Sequence, residues 1–139
     1  MTDPVPPRNS AMAVAASALK AQQSRMRVIA ENIANAQSTA LAAGGEPYRR
    51  QIPVFQAREI DGATGVTLAE VRPDQSDFRS EYDPSHPAAN AEGYVLRPNV
   101  DTLVEAMDMR EAQRAYEANL NVIETARSMD ARTLDILKK

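Results

Sequence analysis

The sequence predicts an α+β chain, with a long helix at each end and a small middle segment rich in β-hairpins and extended loop. Three observations predict it. All five glycines lie between positions 44 and 93, and the nine prolines lie at 4–7 or at 47–98, so 8–43 and 99–139 contain neither helix breaker. Both ends carry stripes at steps of three and four residues. The middle alternates with period two and holds five of the six aromatic rings.

The N-terminal helix is expected over 10–36, after a polar, proline-rich extension at 1–9 that is expected to be disordered. Met12, Leu19, Met26 and Ile33 recur every seven residues, and Ala15, Gln22 and Ile29 follow the first three by three positions. That is the spacing of a helix-pairing seam. Twelve alanines in 11–43 favour the helix, and Asn9 or Ser10 stands where a cap belongs. Asn32, Asn35 and the run Gln37-Ser38-Thr39 weaken the helix into a loop.

The C-terminal helical segment is expected over 99–139. Thr102 with Glu105 has the spacing of a capping box. Ala106, Met109, Gln113, Tyr116, Leu120, Ile123, Arg127, Asp130, Leu134 and Leu137 then form the stripe, with Asp108, Glu117 and Glu124 off it. Lys138 and Lys139 suit the negative end of the helix dipole.

The middle, 37–98, reads as short strands and turns. Tyr48 to Glu59 carries Ile52, Val54 and Phe55, with Pro53 marking an edge strand. Asp61-Gly62 is a turn signal, and Gly65 to Val71 alternates apolar and polar residues. Phe78 to Tyr82 is a third short strand, Tyr82 to Ala91 an extended loop with two prolines, and Gly93 to Leu96 leads into the last helix.

Composition narrows the function. Sixteen basic against nineteen acidic side chains leave a net charge of −3, too balanced for bulk attraction to nucleic acid. With no cysteine there are no disulfides, thiolate metal sites or cysteine nucleophiles, and no apolar run is long enough to span a membrane. His86, the only histidine, lies between two prolines and reads as a structural loop residue. Ser85 beside it is no triad signal, and Gly44-Gly45 lacks the Lys-Ser/Thr of a phosphate loop. No enzymatic activity, metal or cofactor is expected. Arg49-Arg50 reads as a solvated strand end or as a contact to an acidic neighbour.

The seams are short of buried area. Alanine, glutamine and methionine fill much of the first, and the second includes Gln113, Arg127 and Asp130. Two such helices paired only with each other bury little apolar surface against an ordering cost of about 1–2 kcal/mol per backbone residue. Either the chain is a thin helical hairpin with an inserted β segment, or other chains supply the missing surface. In the second case Gln22, Asn32, Asn35, Gln113 and Asn119 can fix register by hydrogen bonds between chains.

The run Ser17 to Ala36, with Ala30 to Thr39 as A-x-N-I-A-N-A-x-S-T, resembles the N-terminal signature of the flagellar rod, hook and related axial proteins. Glu105-Ala106-Met107, Arg114 to Asn119 and Met129 to Leu137 resemble the C-terminal helix of the same family. Pro47 to Arg50, Val54-Phe55, Tyr82 to Pro87 and Gly93 to Val100 are similar to the proximal rod proteins within it. The proline-rich 1–9 departs from the short apolar start common in the family.

The resemblance implies that the two helices pair as an antiparallel coiled coil in one domain, and that neighbouring subunits pack theirs into a tubular layer with the β region outside. It implies a rod that joins the membrane-embedded ring to the hook and transmits torque. The implied partners are copies of the chain, other rod proteins, ring or adaptor proteins at the rod base and the flagellar type III export apparatus, with no nucleic acid and no direct membrane span. The implied location is the periplasmic rod, reached without a cleaved signal; 1–9 indeed lacks the apolar stretch of such a signal. The alternatives are another axial subunit, or a cytoplasmic helical-hairpin adaptor linked to secretion.

Candidate subunit-packing residues are Leu19, Gln22, Met26, Ile29, Asn32, Ile33 and Asn35 in the first helix, and Met109, Gln113, Tyr116, Asn119, Leu120, Ile123 and Leu134 in the second. Candidate contacts in the middle are Tyr48, Arg49, Phe55, Tyr82, Pro84, His86, Pro87, Tyr94, Pro98 and Asn99. Seams this poor in rings predict that the helicity of the isolated chain, read by far-UV circular dichroism, rises with concentration. Full helicity independent of concentration at low micromolar levels would contradict that.

Overall fold

The computed structural model describes residues 8–138, and the side chains from Ser10 onward. Positions 1–7 of the expected extension lie outside the described residues. The order is α1 (Arg8–Ala34), β1 (Gln51–Ile60), β2 (Ala63–Pro73), β3 (Arg79–Tyr82), β4 (Tyr94–Arg97) and α2 (Thr102–Leu137). The α+β architecture with long terminal helices is as the sequence predicts. Asn9 and Ser10 lie within α1 rather than capping it.

α1 and α2 lie side by side and antiparallel. Arg25 Nη2 reaches Glu111 Oε2 at 3.4 Å, while Ala11 and Met12 lie against Ala126 and Met129. At 1.5 Å per residue α1 is roughly 40 Å long and α2 roughly 54 Å. The last residues of α2 and its C-cap, 131–138, are all exposed.

In chain order two antiparallel ribbons lie between the helices. β1 and β2 pair from Gln51↔Pro73 to Ile60↔Ala63, with a bulge beside Val54/Phe55. Their turn is Asp61-Gly62, both with positive φ (49° and 82°), the backbone that an Asp-Gly hairpin turn supplies at least cost. Gly65 lets β2 approach α1: a Cβ there would stand 2.8 Å from Ser17 Oγ and 2.5 Å from Ile60 Cδ1. Ser17 Oγ accepts a hydrogen bond from the Val66 N–H at 3.2 Å and donates to the Val14 carbonyl at 2.7 Å, so the hairpin is tied to the helix.

β3 pairs with β4. Gly93 to Leu96 is therefore largely a strand and not merely a lead-in to the helix. The pattern of four residues was too short to show period two. The segment 83–93 is a chain of tight turns rather than an extended loop. Its hydrogen bonds run from the Asp83 N–H to the Gly93 carbonyl (2.9 Å), from the His86 N–H to that of Asp83 and from the Ala89 N–H to that of His86.

α2 starts at a cap other than the expected one. Asp101 is the N-cap, its carboxylate accepting from the Leu103 and Val104 N–H groups. Glu105 is 1% exposed and turned inward, with no part in a capping box. The inner stripe of α2 is also set one residue from the expected line, because Ala112, and not Gln113, is fully buried.

The core is small: among the described residues Ala15, Ala21, Val28, Ile29, Ala36, Ala88, Val95, Val100 and Ala112 are buried, together with Pro47 and Pro98, and no aromatic ring is among them. Polar fastening supplements it. Asn32, buried in α1, donates through Nδ2 to the Gln51 carbonyl at 2.9 Å. Its Oδ1 accepts from the Gln51 N–H at 2.9 Å and from the Tyr48 hydroxyl at 2.8 Å. Asn32→Ala strands three polar groups at once and is expected to cost on the order of 3 kcal/mol in urea unfolding. An unchanged midpoint would contradict the fastening role.

Candidate assembly interface

The helix pair presents three faces: an inner seam, the outside of α1, and the outside of α2. The end of the helix pair where the ribbons meet it is held by charge. Arg50, at the start of β1, pairs through Nε with Glu105 of α2. Its Nη1 lies 3.2 Å from Asp74 Oδ2 and its Nη2 3.9 Å from Asp108 Oδ2. So Arg50 is neither a solvated strand end nor a cation held for a neighbour, and Asp108 is not off the packing side. Arg49 stacks over the Phe78 ring, 4.1 Å to its centroid, and donates to the Asp74 and Ser76 carbonyls. Asn99 accepts from the Arg50 N–H at 2.7 Å and donates to the same two carbonyls.

The electrostatics follow. The Asp74 carboxyl is held below the ordinary range, first by the Ser76 N–H, which donates to it, and then by Arg50, with burial pulling the other way. Burial pulls the Arg50 guanidinium down, but Glu105 and Asp74 outweigh it and hold it above its ordinary value. Burial, helped by Glu31 and Glu105, raises the Tyr48 hydroxyl.

The expected packing residues divide. Ile29 and Asn32 are buried in the chain, and the hydrogen bonds of Asn32 are all internal. Its expected use between chains is corrected on that ground. Leu19, Gln22, Met26, Asn35, Met109, Tyr116, Asn119 and Ile123 are half-buried. Asn35 donates back to the Glu31 carbonyl, closing α1, and Gln22 Oε1 is buried without a partner among the described residues. Ile33, Gln113, Leu120 and Leu134 are exposed.

In the middle, Tyr48, Arg49, Pro98 and Asn99 are internal fasteners, Pro98 being fully buried. Phe55 is half-buried at the bulge. Tyr82 and Tyr94 cross edge to face at 5.3 Å, both exposed, with Pro84 close by at Gly93, and Pro84 and Pro87 are exposed as well. His86 Nδ1 accepts from the Ala88 N–H at 3.0 Å. Among the described residues no group of three or more His, Cys, Asp or Glu side chains could hold a metal, and no helix is long and apolar enough to cross a membrane.

One feature escapes the sequence reading. Val104, Met107, Val122, Met129 and Ile136 are all exposed, Met107 at 64% and Ile136 at 74%, and Ala115 and Ala118 fill the gap between them. They form a second, interrupted apolar stripe, at successive spacings of three, eight, three, four, seven and seven residues, turned roughly a quarter to a third of a revolution from the inner seam. A count of every three-four register on α2 reveals it; following one stripe does not.

Two long helices, one with apolar residues on two faces, suit an assembling chain, and the comparisons identify its kind. Residues 12–40 match the family described as flagella basal body rod protein. Residues 91–136 match the family described as flagellar basal body rod FlgEFG protein C-terminal. The flagellar basal-body rod protein FlgC of Agrobacterium fabrum is 46% identical over 135 residues, covering 95% of this chain and 96% of that protein. The chain belongs to the FlgC family of flagellar basal-body rod proteins. The FlgC of Escherichia coli O6:H1 is 42% identical over 125 residues (88% of this chain, 92% of that one), and that of Bacillus subtilis 39% over 142 residues (90% and 95%). As a member of that family the chain is a structural subunit of the rod that assembles with other rod and basal-body proteins, and not an enzyme.

A FlgC-family chain fastened by Arg50 and Asp74 should weaken in acid. The Asp74 carboxyl has a lower pKa folded than unfolded, so its contribution is present above the unfolded value and is lost as pH falls through the folded one. Unfolding free energy is expected to decline below about pH 4, and Asp74→Asn to flatten that decline. Identical acid profiles for the two proteins would refute it.

Proposed function

We propose that the chain is a proximal-rod subunit that polymerises through its terminal helices into a tubular shaft and transmits torque. The observation that carries this is the second apolar stripe of α2. A helix with apolar residues on two faces needs two partners, and α1 covers only one of them.

Torque is a shear between neighbouring subunits. Interlocked side chains along helices of roughly 40–54 Å resist it through many small contacts, none of which has to be strong alone. Exposed Ile33, Gln113, Leu120 and Leu134 join the stripe as groups able to meet neighbours, and the exposed Tyr82–Tyr94 pair marks the outer, β-containing side. We further propose that the partners include ring or adaptor proteins at the rod base and the export apparatus, and that the chain works in the periplasm, reached without a cleaved signal.

Val122→Asp tests the reading. Val122 is 56% exposed, so the isolated variant is expected to unfold at the same denaturant concentration as the parent. The same variant is expected to be missing from purified basal bodies, with loss of motility. Normal incorporation and motility would overturn the proposed role of the stripe.

A further inference from the structure

We propose that copies of this chain pack side by side with the outer face of α1 in one copy against the outer face of α2 in the next, antiparallel, in one register set by charge. The proposal rests on the rod-subunit reading and adds the surface and the register.

The outer face of α1 is built of exposed Ala16, Lys20, Gln23, Arg27, Glu31 and Ala34. It is free of large apolar side chains, and none of its charged groups has an ion-pair partner among the described residues. On the outer face of α2, Arg114, Glu117 and Glu124 are exposed and equally unpaired. Lys20 and Arg27 are seven residues apart, about 10 Å along a helix, and so are Glu117 and Glu124. Laid antiparallel, Lys20 meets Glu124 and Arg27 meets Glu117.

The same alignment brings Glu31 within one residue, about 1.5 Å along the axis, of Arg114, sets Gln23 beside Asn121 and places the small side chains of Ala16 and Ser128 together. Sliding the helices by one heptad breaks it: in one direction Arg27 faces Arg110, and in the other Lys20 faces Ala131. Reversing one helix keeps two of the ion pairs but sets Glu31 against Ser128. Only the antiparallel register brings all three charged pairs within reach, and the slide that sets Arg27 against Arg110 is further disfavoured by like charge.

This register differs from the internal one. Within the chain Arg25 meets Glu111, whereas between copies it would lie level with position 119. The offset is about eight residues, roughly 12 Å, measured on Arg25 and Glu111, and about three residues measured on Met12 and Met129. Copies joined by such a stagger do not close into a flat ring; a contact between unlike faces with an axial step propagates as a helix.

The absence of cysteine makes the test direct. Ala16→Cys and Ser128→Cys are prepared as separate variants, mixed at high concentration and oxidised. A disulfide between two different variants necessarily joins two copies. Covalent dimers are expected from this pair, and not from Ala16→Cys mixed with Asn121→Cys or with Gln113→Cys. The second mixture probes the reversed orientation. Arg27→Glu in the first variant is expected to abolish the dimer, and Glu117→Arg in the second to restore it; raising the salt is expected to lower the yield.

No dimer from any mixture, dimers mainly from either control, or a dimer indifferent to Arg27→Glu would each overturn the register. None of these results bears on whether Val122→Asp excludes the chain from basal bodies, so this inference can fail while the rod-subunit reading stands.

Discussion

The four residues 48–51 hold three parts of the molecule together. The Tyr48 hydroxyl and the Gln51 backbone bind Asn32 of α1, the Arg50 side chain binds Glu105 of α2, and the Arg50 N–H binds Asn99 just before α2. The hairpin, the end of one helix and the start of the other therefore meet in one hydrogen-bonded junction. Removing one partner of a buried charge pair leaves the other uncompensated. A junction of this kind gives the antiparallel helices a fixed starting point, from which their register runs outward for their whole length.

Beyond that junction the helix pair is thin. Its buried apolar residues are mostly alanine and valine, with Ile29 the largest. Such a seam sets alignment more than it supplies stability. The molecule is firm where the ribbons join the helices, and it becomes more exposed toward the far end, where residues 131–138 are all exposed. That gradient suits a subunit whose free helical end is completed by neighbours. The exposed stripe of α2 supplies apolar area for them, and the charged outer faces supply direction, which apolar contact alone does not.

The helices, the Asp-Gly hairpin and the family were legible in the sequence, because each rests on a strong local rule: freedom from glycine and proline, seven-residue recurrence, and a turn that only a few residue pairs make. What was not legible depends on distance in space. The β3–β4 ribbon closes across eleven intervening positions, and four residues are too few for a period. The Arg50–Glu105 pair joins residues far apart in sequence, so Glu105 looked like a local capping residue and Arg50 like a solvent-exposed cation. Asp101 takes the cap instead, since its short carboxylate reaches the Leu103 and Val104 N–H groups directly. The choice of Gln113 over Ala112 for the inner stripe arose because a heptad pattern allows either when both faces of a helix carry apolar residues.

The central claim is that this chain is completed by its neighbours, with the stripe of Val104, Met107, Val122 and Met129 as the surface they cover. Electron-microscopic imaging of a purified basal body, at a resolution that shows side chains, tests it most directly. The prediction is that this stripe is buried against a helix of an adjacent subunit while the Arg50–Glu105 junction stays as it is in the single chain. A rod in which the chain is present with the stripe facing solvent, or in which the chain is absent, would contradict it.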